Sequence, residues 1–196
     1  MCGRFYTDEE REDMRRLASN LANPTFAKQL TWGEVRPSDM VPMIIAEGGR
    51  AVAVAAMWGY PNENGQTTYI NARAETVSLR RSFGEDMAER RCVIPVSGFF
   101  EWAPRPSSEK CLFFDTEGEL LYLAGVWRKD SHGMYRFVVL TTEANASVSP
   151  IHARMPLLVP GSFARKWLGD NEAALAHLHA KMPPLPYLCL APEWVK

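Results

Sequence analysis

The stretch VPMIIAEGGRAVAVAAMW, residues 41–58, contains two β-prone runs on either side of a glycine turn. Val41 to Ala46 is predicted to be a strand, Glu47 to Gly49 a turn, and residues 50–58 the returning strand. Strands joined by so short a connection pair antiparallel, because a parallel pairing needs a crossover of about a dozen residues or more. The hairpin therefore predicts the type of sheet around which the rest of the chain is built.

Similar β-prone runs recur along the chain, whereas helical patterns are fewer. Further strands are predicted at CVIPVSGFFEW (92–102, broken at Pro95 and Gly98), LFFDTEGELLYLAGVW (112–127, a hairpin turning at Thr116 to Gly118), MYRFVVLTT (134–142) and Tyr187 to Leu190. Helices are predicted from a capping box at Thr7 and Glu10 as far as Asn23-Pro24, from Ala74 to about Arg90, and near Phe163 to Leu168 and Glu172 to His179. Because the strands do not alternate with helices, we predict an α+β fold. It has a mainly antiparallel, barrel-like β core with flanking helices, in a single domain over residues 2–196.

The composition argues against several classes of function. The formal net charge of the 196 residues is −1, which does not favour a general polyanion binder, although a locally basic groove can lie on a neutral protein. We find no secretory signal, transmembrane run or Gly-rich phosphate loop, so we expect a cytoplasmic protein. The four cysteines lack a C-x-x-C pair, so neither a metal site nor a disulfide framework is expected. Cys92, Cys111 and Cys189 are expected to pack as small apolar residues in a reducing cytosol.

Cys2, in MCGRF, differs from the other cysteines because of its position. If Met1 is removed, one residue carries both a free α-amine and a thiol, with ordinary pKa values of about 8 and about 8.5. Both groups then have useful reactive fractions at neutral pH. The thiol can attack an acyl carbon with the amine as base, or the amine can form an imine with an aldehyde that the thiol closes to a thiazolidine. The alternative is a cysteine that occupies the second position without a chemical role.

Three segments supply candidate partners for Cys2. Glu101 lies in the apolar run GFFEW, where burial would raise its pKa and suit it to proton transfer, although a Glu on the wet face of a strand fits the local pattern better. His152 lies between two prolines in SPIHARMP and is either a second acid/base or a structural histidine. Asn71, Arg73 and Glu75 alternate in INARAET and would line a polar cleft if the segment is extended, or Arg73 and Glu75 form a surface ion pair.

Arginine and aromatic side chains near these segments suit nucleic acid. The planar guanidinium matches phosphate oxygens, and the candidate phosphate ligands are Arg4, Arg73, Arg80, Arg81, Arg90, Arg91 and Arg154. Trp58, Trp102 and Phe5 could stack on bases, as aromatic residues do in single-strand binders. The alternative is a solvated charged face over core aromatics.

These segments together resemble the SRAP family, the SOS response-associated peptidases or abasic site processing proteins. The resemblance runs through MCGRF (1–5), MWGY (57–60), NARAET (71–76), RRCVIPVSGFFEW (90–102), LAGVW (123–127), VLTTEAN (139–145) and IHARMP (151–156). It departs at Val96-Ser97 and Phe100, where Ala-Asp and Tyr are more often expected. It departs also at Ala153, where Asp is usual, which alters the surroundings of His152.

The resemblance implies a protein that captures the aldehyde of an abasic site in single-stranded DNA as a thiazolidine. Cys2 would be the nucleophile, Asn71 would position it, and Glu101 and His152 would transfer protons. Thr141 would support the site by hydrogen bonding. The arginines Arg4, Arg73, Arg81 and Arg154 would hold phosphates, while Trp58 and Trp102 would pack near the strand.

The resemblance also carries secondary expectations. These are Met1 removal, self-processing peptidase activity, weak lyase activity through the imine, no cofactor or metal, binding to replication-fork or 3′-junction DNA, a monomeric state, and association with the nucleoid when DNA is bound.

Two rival functions stay open at the level of sequence. One is an N-terminal-nucleophile enzyme, either a cysteine peptidase or a glutamine amidotransferase, since the latter also begins with Met-Cys-Gly. We find no Arg-Gly-His segment or Asn-Gly pairing typical of the amidotransferases. The other rival is a non-covalent reader of single-stranded or modified DNA.

Overall fold

A computed structural model of the protein describes residues 2–61, 68–104 and 106–190. The strands follow one another in chain order as β1 Arg4–Thr7, β2 Gly33–Val35, β3 Met40–Glu47, β4 Arg50–Trp58, β5 Tyr60–Pro61, β6 Thr68–Tyr69, β7 Asn71–Arg73, β8 Arg91–Val96, β9 Gly98–Trp102, β10 Lys110–Phe113, β11 Leu121–Lys129, β12 Tyr135–Glu143, β13 Arg154–Pro156 and β14 Tyr187–Leu190. The α-helices are α1 Glu12–Ser19, α2 Gly84–Glu89, α3 Ala164–Gly169 and α4 Asn171–His177, and 3₁₀ helices cover Pro24–Gln29, Ala74–Leu79 and Gly161–Phe163. Among the described residues, no helix is long and apolar enough to cross a membrane.

The larger sheet closes on itself. Strands β11, β8, β3, β4 and β12 pair in that order, and β12 pairs back with β11, so five strands form a ring. The predicted hairpin is β3 and β4, which pair antiparallel from Met40↔Met57 to Glu47↔Arg50. Its apolar side chains fill the ring together with those of β8, β11 and β12. The prediction of an α+β fold with a mainly antiparallel, barrel-like core is confirmed.

Strand β12 extends beyond the ring and carries two short strands. Its first half pairs with β11 and β4, while its second half pairs in parallel with β7 and antiparallel with β13. Thr141 in β12 therefore lies between Arg73 of β7 and Pro156 of β13. The parallel pairings with β4 and β7 are exceptions to the antiparallel prediction, and they bring INARAET beside IHARMP.

The second sheet has five antiparallel strands in the order β14-β10-β9-β1-β2. Phe5, Phe99 and Phe113 are fully buried on its inner face, and the rings of Phe99 and Phe113 stack with centroids 5.1 Å apart. Phe5 also packs on Trp58 of the larger sheet, with ring centroids 4.8 Å apart. The two sheets thus share one apolar core, and residues before β1 lie at the seam between them.

Three local predictions are wrong. The segment from Ala74 to Arg90 is not one helix, because a turn separates the 3₁₀ helix Ala74–Leu79 from α2. The first predicted helix does not begin with a capping box, because Thr7 is the last residue of β1 and its hydroxyl donates to the Thr31 carbonyl at 3.1 Å. Helix α1 begins at Glu12 and ends at Ser19, before Asn23-Pro24. The run 112–127 is not a hairpin either, since β10 pairs with β9 and β14 whereas β11 pairs with β8 and β12. The turn between them carries the chain from one sheet to the other.

The cysteine prediction is wrong for one pair. Cys111 and Cys189 lie directly opposite each other on β10 and β14 and form a disulfide. This proximity depends on strand register across a sequence separation of 78, which spacing along the chain cannot show. Cys92 is a free, buried cysteine of the ring core, as expected.

Candidate active site

Cys2 lies immediately before β1, at the seam between the sheets. Its side chain is fully buried, and the thiol lies 3.5 Å from the Arg4 carbonyl oxygen. Burial raises the pKa of the Cys2 thiol far above its ordinary value, and the negative charge of Glu101 adds to the rise. This raised pKa is that of the chain that retains Met1. The useful thiolate fraction expected after removal of Met1 therefore stays a prediction, and in the buried state the thiol needs a base in order to react.

Asn71 holds the backbone of Cys2. Its side-chain Nδ2 donates to the Cys2 carbonyl oxygen at 2.8 Å, across a sequence separation of 69. The side chain reaches Cys2 because β7 is fixed beside β12, where Val139 is its register partner. The Oδ1 atom of the same amide is buried and has no partner among the described residues. Asn71 therefore positions Cys2 with one end of its amide and leaves an acceptor at the other.

Glu101 is a buried carboxyl group in the middle of the five-stranded sheet. It lies on β9, opposite Cys111, and is 2% exposed. Burial raises the pKa of Glu101, and its interaction with His152 opposes the rise. A Glu on the wet face of a strand, the reading that the local pattern favoured, is therefore wrong, because the inner face of β9 also carries Phe99. A carboxyl group with a raised pKa suits proton transfer near neutral pH.

His152 approaches the same seam from the larger sheet. It lies in the turn before β13, half-buried, with Nδ1 3.0 Å from both the backbone nitrogen and the carbonyl oxygen of Arg154. These contacts fix the orientation of the His152 ring, although its neighbour Ala153 offers no acidic side chain to do so. The structure thus brings Cys2, Asn71, Glu101 and His152 together from segments that are far apart in sequence.

Arg154 is an anchored side chain of the site. Its guanidinium makes a two-pronged ion pair with Glu75, at 2.6 and 2.9 Å, and also contacts Thr141. The hydrogen bonds from Arg154 hold the pKa of Glu75 below its ordinary value. The alternative of an Arg73–Glu75 surface pair is wrong, because strand β7 ends at Arg73 and Glu75 turns toward Arg154 in the following 3₁₀ helix. Thr141 is buried and its hydroxyl lies 3.4 Å from the Ala72 carbonyl oxygen, so it ties β12 to β7.

Arg73 and Arg81 are exposed, and their guanidinium groups make no hydrogen bond or ion pair with the part of the chain that the structure describes. Arg73 follows Asn71 by two residues and lies beside the site. Arg81 lies farther along, where it lines a cleft of about 210 Å³ with Tyr69 and Arg128. Both guanidinium groups are available to anions, whereas that of Arg154 is already paired.

The two tryptophans differ sharply. Trp58 is fully buried, packs on Phe5 and Phe137, and donates from Nε1 to the Ile70 carbonyl oxygen at 2.9 Å. The expectation that it stacks on a base is wrong, because a stacking residue must offer a free face; it supports the strand that leads to Asn71 instead. Trp102 is half-buried on the outer face of β9, and the Arg4 guanidinium lies 5.8 Å from its ring centroid.

Two charged residues that lie beside Arg4 were not among the site residues predicted from the sequence. Glu34 forms ion pairs with Arg4 and with Lys110, which lie on the same outer face of the sheet, on β1 and on β10 with β9 between them. No spacing pattern links residues 4, 34 and 110, so only the pairing of β2, β1, β9 and β10 reveals this cluster. Among the residues in 2–61, 68–104 and 106–190, no group of three or more His, Cys, Asp or Glu side chains could hold a metal ion.

Comparison with known proteins gives a family match over nearly the whole chain. A family model described as SOS response associated peptidase (SRAP) matches residues 1–190. The abasic site processing protein YoqW of Bacillus subtilis (strain 168) is 26% identical over 202 residues, which cover 94% of this chain and 87% of that protein. The abasic site processing protein YedK of Escherichia coli (strain K12) is 26% identical over 179 residues, covering 86% and 79%. The abasic site processing protein HMCES of Gallus gallus is 30% identical over 128 residues, covering 52% and 38%.

Solved structures share the fold. A crystal structure of a protein from Bacteroides thetaiotaomicron has a TM-score of 0.82 at 18% identity and covers 99% of this chain and 94% of its own. One from Bordetella bronchiseptica has a TM-score of 0.77 at 19% identity, covering 96% and 99%. At these identities the likeness supports the architecture of two sheets described above.

Proposed function

The chain belongs to the SRAP family, and on that premise we propose that it captures abasic sites in single-stranded DNA through a covalent bond to Cys2. Relatives across bacteria and vertebrates are named abasic site processing proteins, which supports a role in DNA damage processing. The observation that carries the proposal is the hydrogen bond from Asn71 to the Cys2 carbonyl, beside a buried Glu101. It fixes in place the one residue that can offer an amine and a thiol to the same carbon.

The proposed chemistry has two bond-forming steps. The α-amine of Cys2, freed by removal of Met1, attacks C1 of the open-chain aldehyde, and loss of one water leaves an imine. The Cys2 Sγ atom then adds to the same carbon, while the thiol proton ends on the ring nitrogen. The product is a thiazolidine, one water is released, and nothing is oxidised or reduced. Both nucleophiles must belong to one residue, because the ring contains the backbone carbon that joins them.

Its burial is the reason that we propose Glu101 as a proton-transfer residue. Because the pKa of the Cys2 thiol is raised, sulfur addition needs a group that takes the proton during the step. The Glu101 carboxyl group also has a raised pKa, so it can release and accept a proton near neutral pH. We assign the second proton transfer, during opening of the sugar ring, to His152. Self-processing that exposes Cys2 and weak lyase activity through the imine follow from the same groups.

The DNA strand in this proposal passes over the seam between the sheets. Arg73 and Arg81 offer unpaired guanidinium groups to phosphates, and Arg4 lies against Trp102 on the outer face of the smaller sheet. Arg154 shapes the site through Glu75 and Thr141 rather than as a free phosphate ligand. Cys2 is fully buried. The proposal therefore requires that the seam opens to DNA once removal of Met1 has freed the amine.

The test is capture of a DNA oligonucleotide that carries one abasic site. After incubation and heating, a denaturing gel is expected to show a shifted band for the wild-type protein and none for Cys2→Ala. Cys92→Ala is the matched control, since Cys92 is the other free, fully buried cysteine, and its variant should crosslink like the wild type. Mass spectrometry should show Met1 absent and an adduct lighter by one water than the sum of its parts.

The same experiment separates the rivals. Cys2→Ser should form an imine that heating reverses, and an equally heat-resistant band would contradict the ring mechanism. Retention of abasic DNA in a native gel that survives Cys2→Ala, with no covalent band from the wild type, would indicate a non-covalent reader. Cys2-dependent hydrolysis of glutamine or of a peptide, without crosslinking, would indicate an N-terminal-nucleophile enzyme.

A further inference from the structure

An ion-pair cluster covers the outer face of the five-stranded sheet; we call it the Glu34 cluster and define it as Arg4, Glu34, Lys110 and Trp102. Glu34 on β2 bridges Arg4 on β1 and Lys110 on β10. Lys110 pairs in register with Trp102 on β9. The cluster therefore runs across four strands, β2, β1, β9 and β10.

The two cations of the cluster are held differently. The Lys110 side chain is 9% exposed, and its Nζ lies 4.2 Å from the ring centroid of Phe100 and 5.6 Å from that of Trp102. It is fixed between rings and a carboxylate, so it contributes charge without reaching outward. The Arg4 side chain is 30% exposed and can meet a phosphate. Arg4 is thus the outward-facing cation, and Lys110 the buried one.

Glu34 occupies the position where a phosphate would compete for Arg4. Its side chain is 26% exposed, and its two carboxylate oxygens contact different cations. Although burial opposes ionisation, hydrogen bonds from Lys110 and Arg4 keep the pKa of Glu34 below its ordinary value. Glu34 is therefore a carboxylate at neutral pH, and it reduces the charge of the cluster from +2 to +1. A carboxylate beside a phosphate ligand also repels the DNA backbone.

We propose that Glu34 is a specificity-determining residue that weakens non-covalent binding of undamaged single-stranded DNA by engaging Arg4. The protein then leaves intact DNA readily, and only an aldehyde that bonds to Cys2 retains it. This inference rests on the proposed function for its purpose, but its physical content is a binding constant that can be measured without any abasic site.

The test uses fluorescence anisotropy of the full-length protein with an undamaged single-stranded oligonucleotide, titrated from 50 to 200 mM salt. Glu34→Gln removes the carboxylate and keeps the side-chain volume. It is expected to bind about three- to tenfold more tightly at low salt, the size of one unit-charge interaction near a protein surface. The slope of log K against log salt should steepen by about 0.7, the effect of one additional phosphate contact on a single strand.

Two further variants separate charge from structure. Lys110→Met should weaken binding. The double variant Glu34→Gln/Lys110→Met has the wild-type cluster charge of +1 but leaves Arg4 without its carboxylate partner, so it should bind less tightly than Glu34→Gln and still show a steeper salt slope than the wild type. It also removes the buried ammonium that Glu34→Gln alone would leave without its carboxylate. Glu172→Gln, an exposed acid on α4, is the control for a change in overall charge and should bind like the wild type.

The outcomes decide between the two proposals. Glu34→Gln with equal or weaker affinity and an unchanged salt slope would overturn the inference, as would a double variant whose affinity and salt slope equal those of the wild type. Crosslinking to abasic DNA is measured in parallel and should be the same for wild type and Glu34→Gln at saturating protein. If no variant crosslinks but the affinity series holds, the covalent function fails and the role of Glu34 stands.

Discussion

Asn71→Ala removes the hydrogen bond that holds Cys2. The donor lies 2.8 Å from the Cys2 carbonyl oxygen, and Cys2 itself is fully buried, so the variant leaves a buried acceptor without that donor. An orphaned buried acceptor costs about 1–3 kcal/mol. If this cost falls on the reactive placement of Cys2, it corresponds to a crosslinking rate lower by about five- to a hundredfold. The effect should appear in the rate at saturating protein rather than in DNA affinity, because Asn71 carries no charge.

Asn23→Ala is the matched control for this change. The Asn23 side chain also fastens a strand, since its Nδ2 donates to the Ala55 carbonyl at 3.0 Å and its Oδ1 accepts from the Ala55 amide at 2.7 Å. Both variants therefore lose hydrogen bonds between a half-buried side-chain amide and the backbone. Both should have a thermal unfolding midpoint a few degrees below that of the wild type. Only Asn71→Ala should slow crosslinking.

The assay is the time course of the heat-resistant band, with thermal unfolding and intact mass measured on the same samples. Intact mass shows whether Met1 is gone, so that a failure of processing is not mistaken for slow chemistry. An Asn71→Ala protein that lacks Met1, remains folded and crosslinks at the wild-type rate would refute the positioning role. Equal losses of rate in both variants would assign the effect to general stability.

Three further predictions concern buried groups. Glu101→Gln should slow crosslinking by about a hundredfold or more, as expected for loss of an acid/base group, with DNA binding intact, and an unchanged rate would remove Glu101 from the mechanism. Because the pKa of Glu101 is raised on folding, ionising this carboxyl group destabilises the folded state. The stability of the wild type should therefore fall relative to that of Glu101→Gln as the pH rises from the ordinary pKa of Glu through the raised pKa of Glu101. Thermal melts across that pH range should show the difference in stability between the two proteins increasing. The Cys111–Cys189 disulfide closes a loop with a sequence separation of 78, so its reduction should lower the free energy of unfolding by at most about 4.5 kcal/mol. Urea titrations with and without reductant would measure this difference, and identical curves would exclude the bond in solution.

The parts of the fold that local patterns predict are those whose partners are close in sequence. The β3–β4 hairpin and the strand of residues 135–143 follow from β-prone runs and a glycine turn. The assignment of β10 and β11 to different sheets does not follow from local patterns. A turn between two β-prone runs has the same sequence signal whether the two strands pair with each other or with other strands. The capping box failed for a related reason, since the pairing of β1 with β2 uses Thr7 as a strand residue, opposite Gly33.

The candidate site divides in the same way. Cys2, Asn71, Glu101 and His152 were selected by residue chemistry and family resemblance, and the structure brings all four to one seam. The burial of Glu101 and Trp58 could not be predicted. The alternation of side chains along a strand shows which residues share a face, but not which of the two faces is covered by the core. Glu34 and Lys110 were missed because their side chains meet only through the pairing of separate strands.

The four site residues come from both sheets. Cys2 lies just before β1 and Glu101 lies on β9 of the open sheet, whereas Asn71 and His152 flank the extension of the closed one. A fragment or graft that carries the open sheet alone would keep the amine and thiol of Cys2 but would lose the residue that positions them and one of the two proposed acid/base groups. The rate of adduct formation in rising denaturant should therefore fall when the sheets come apart, which makes the reaction a chemical gauge of tertiary assembly.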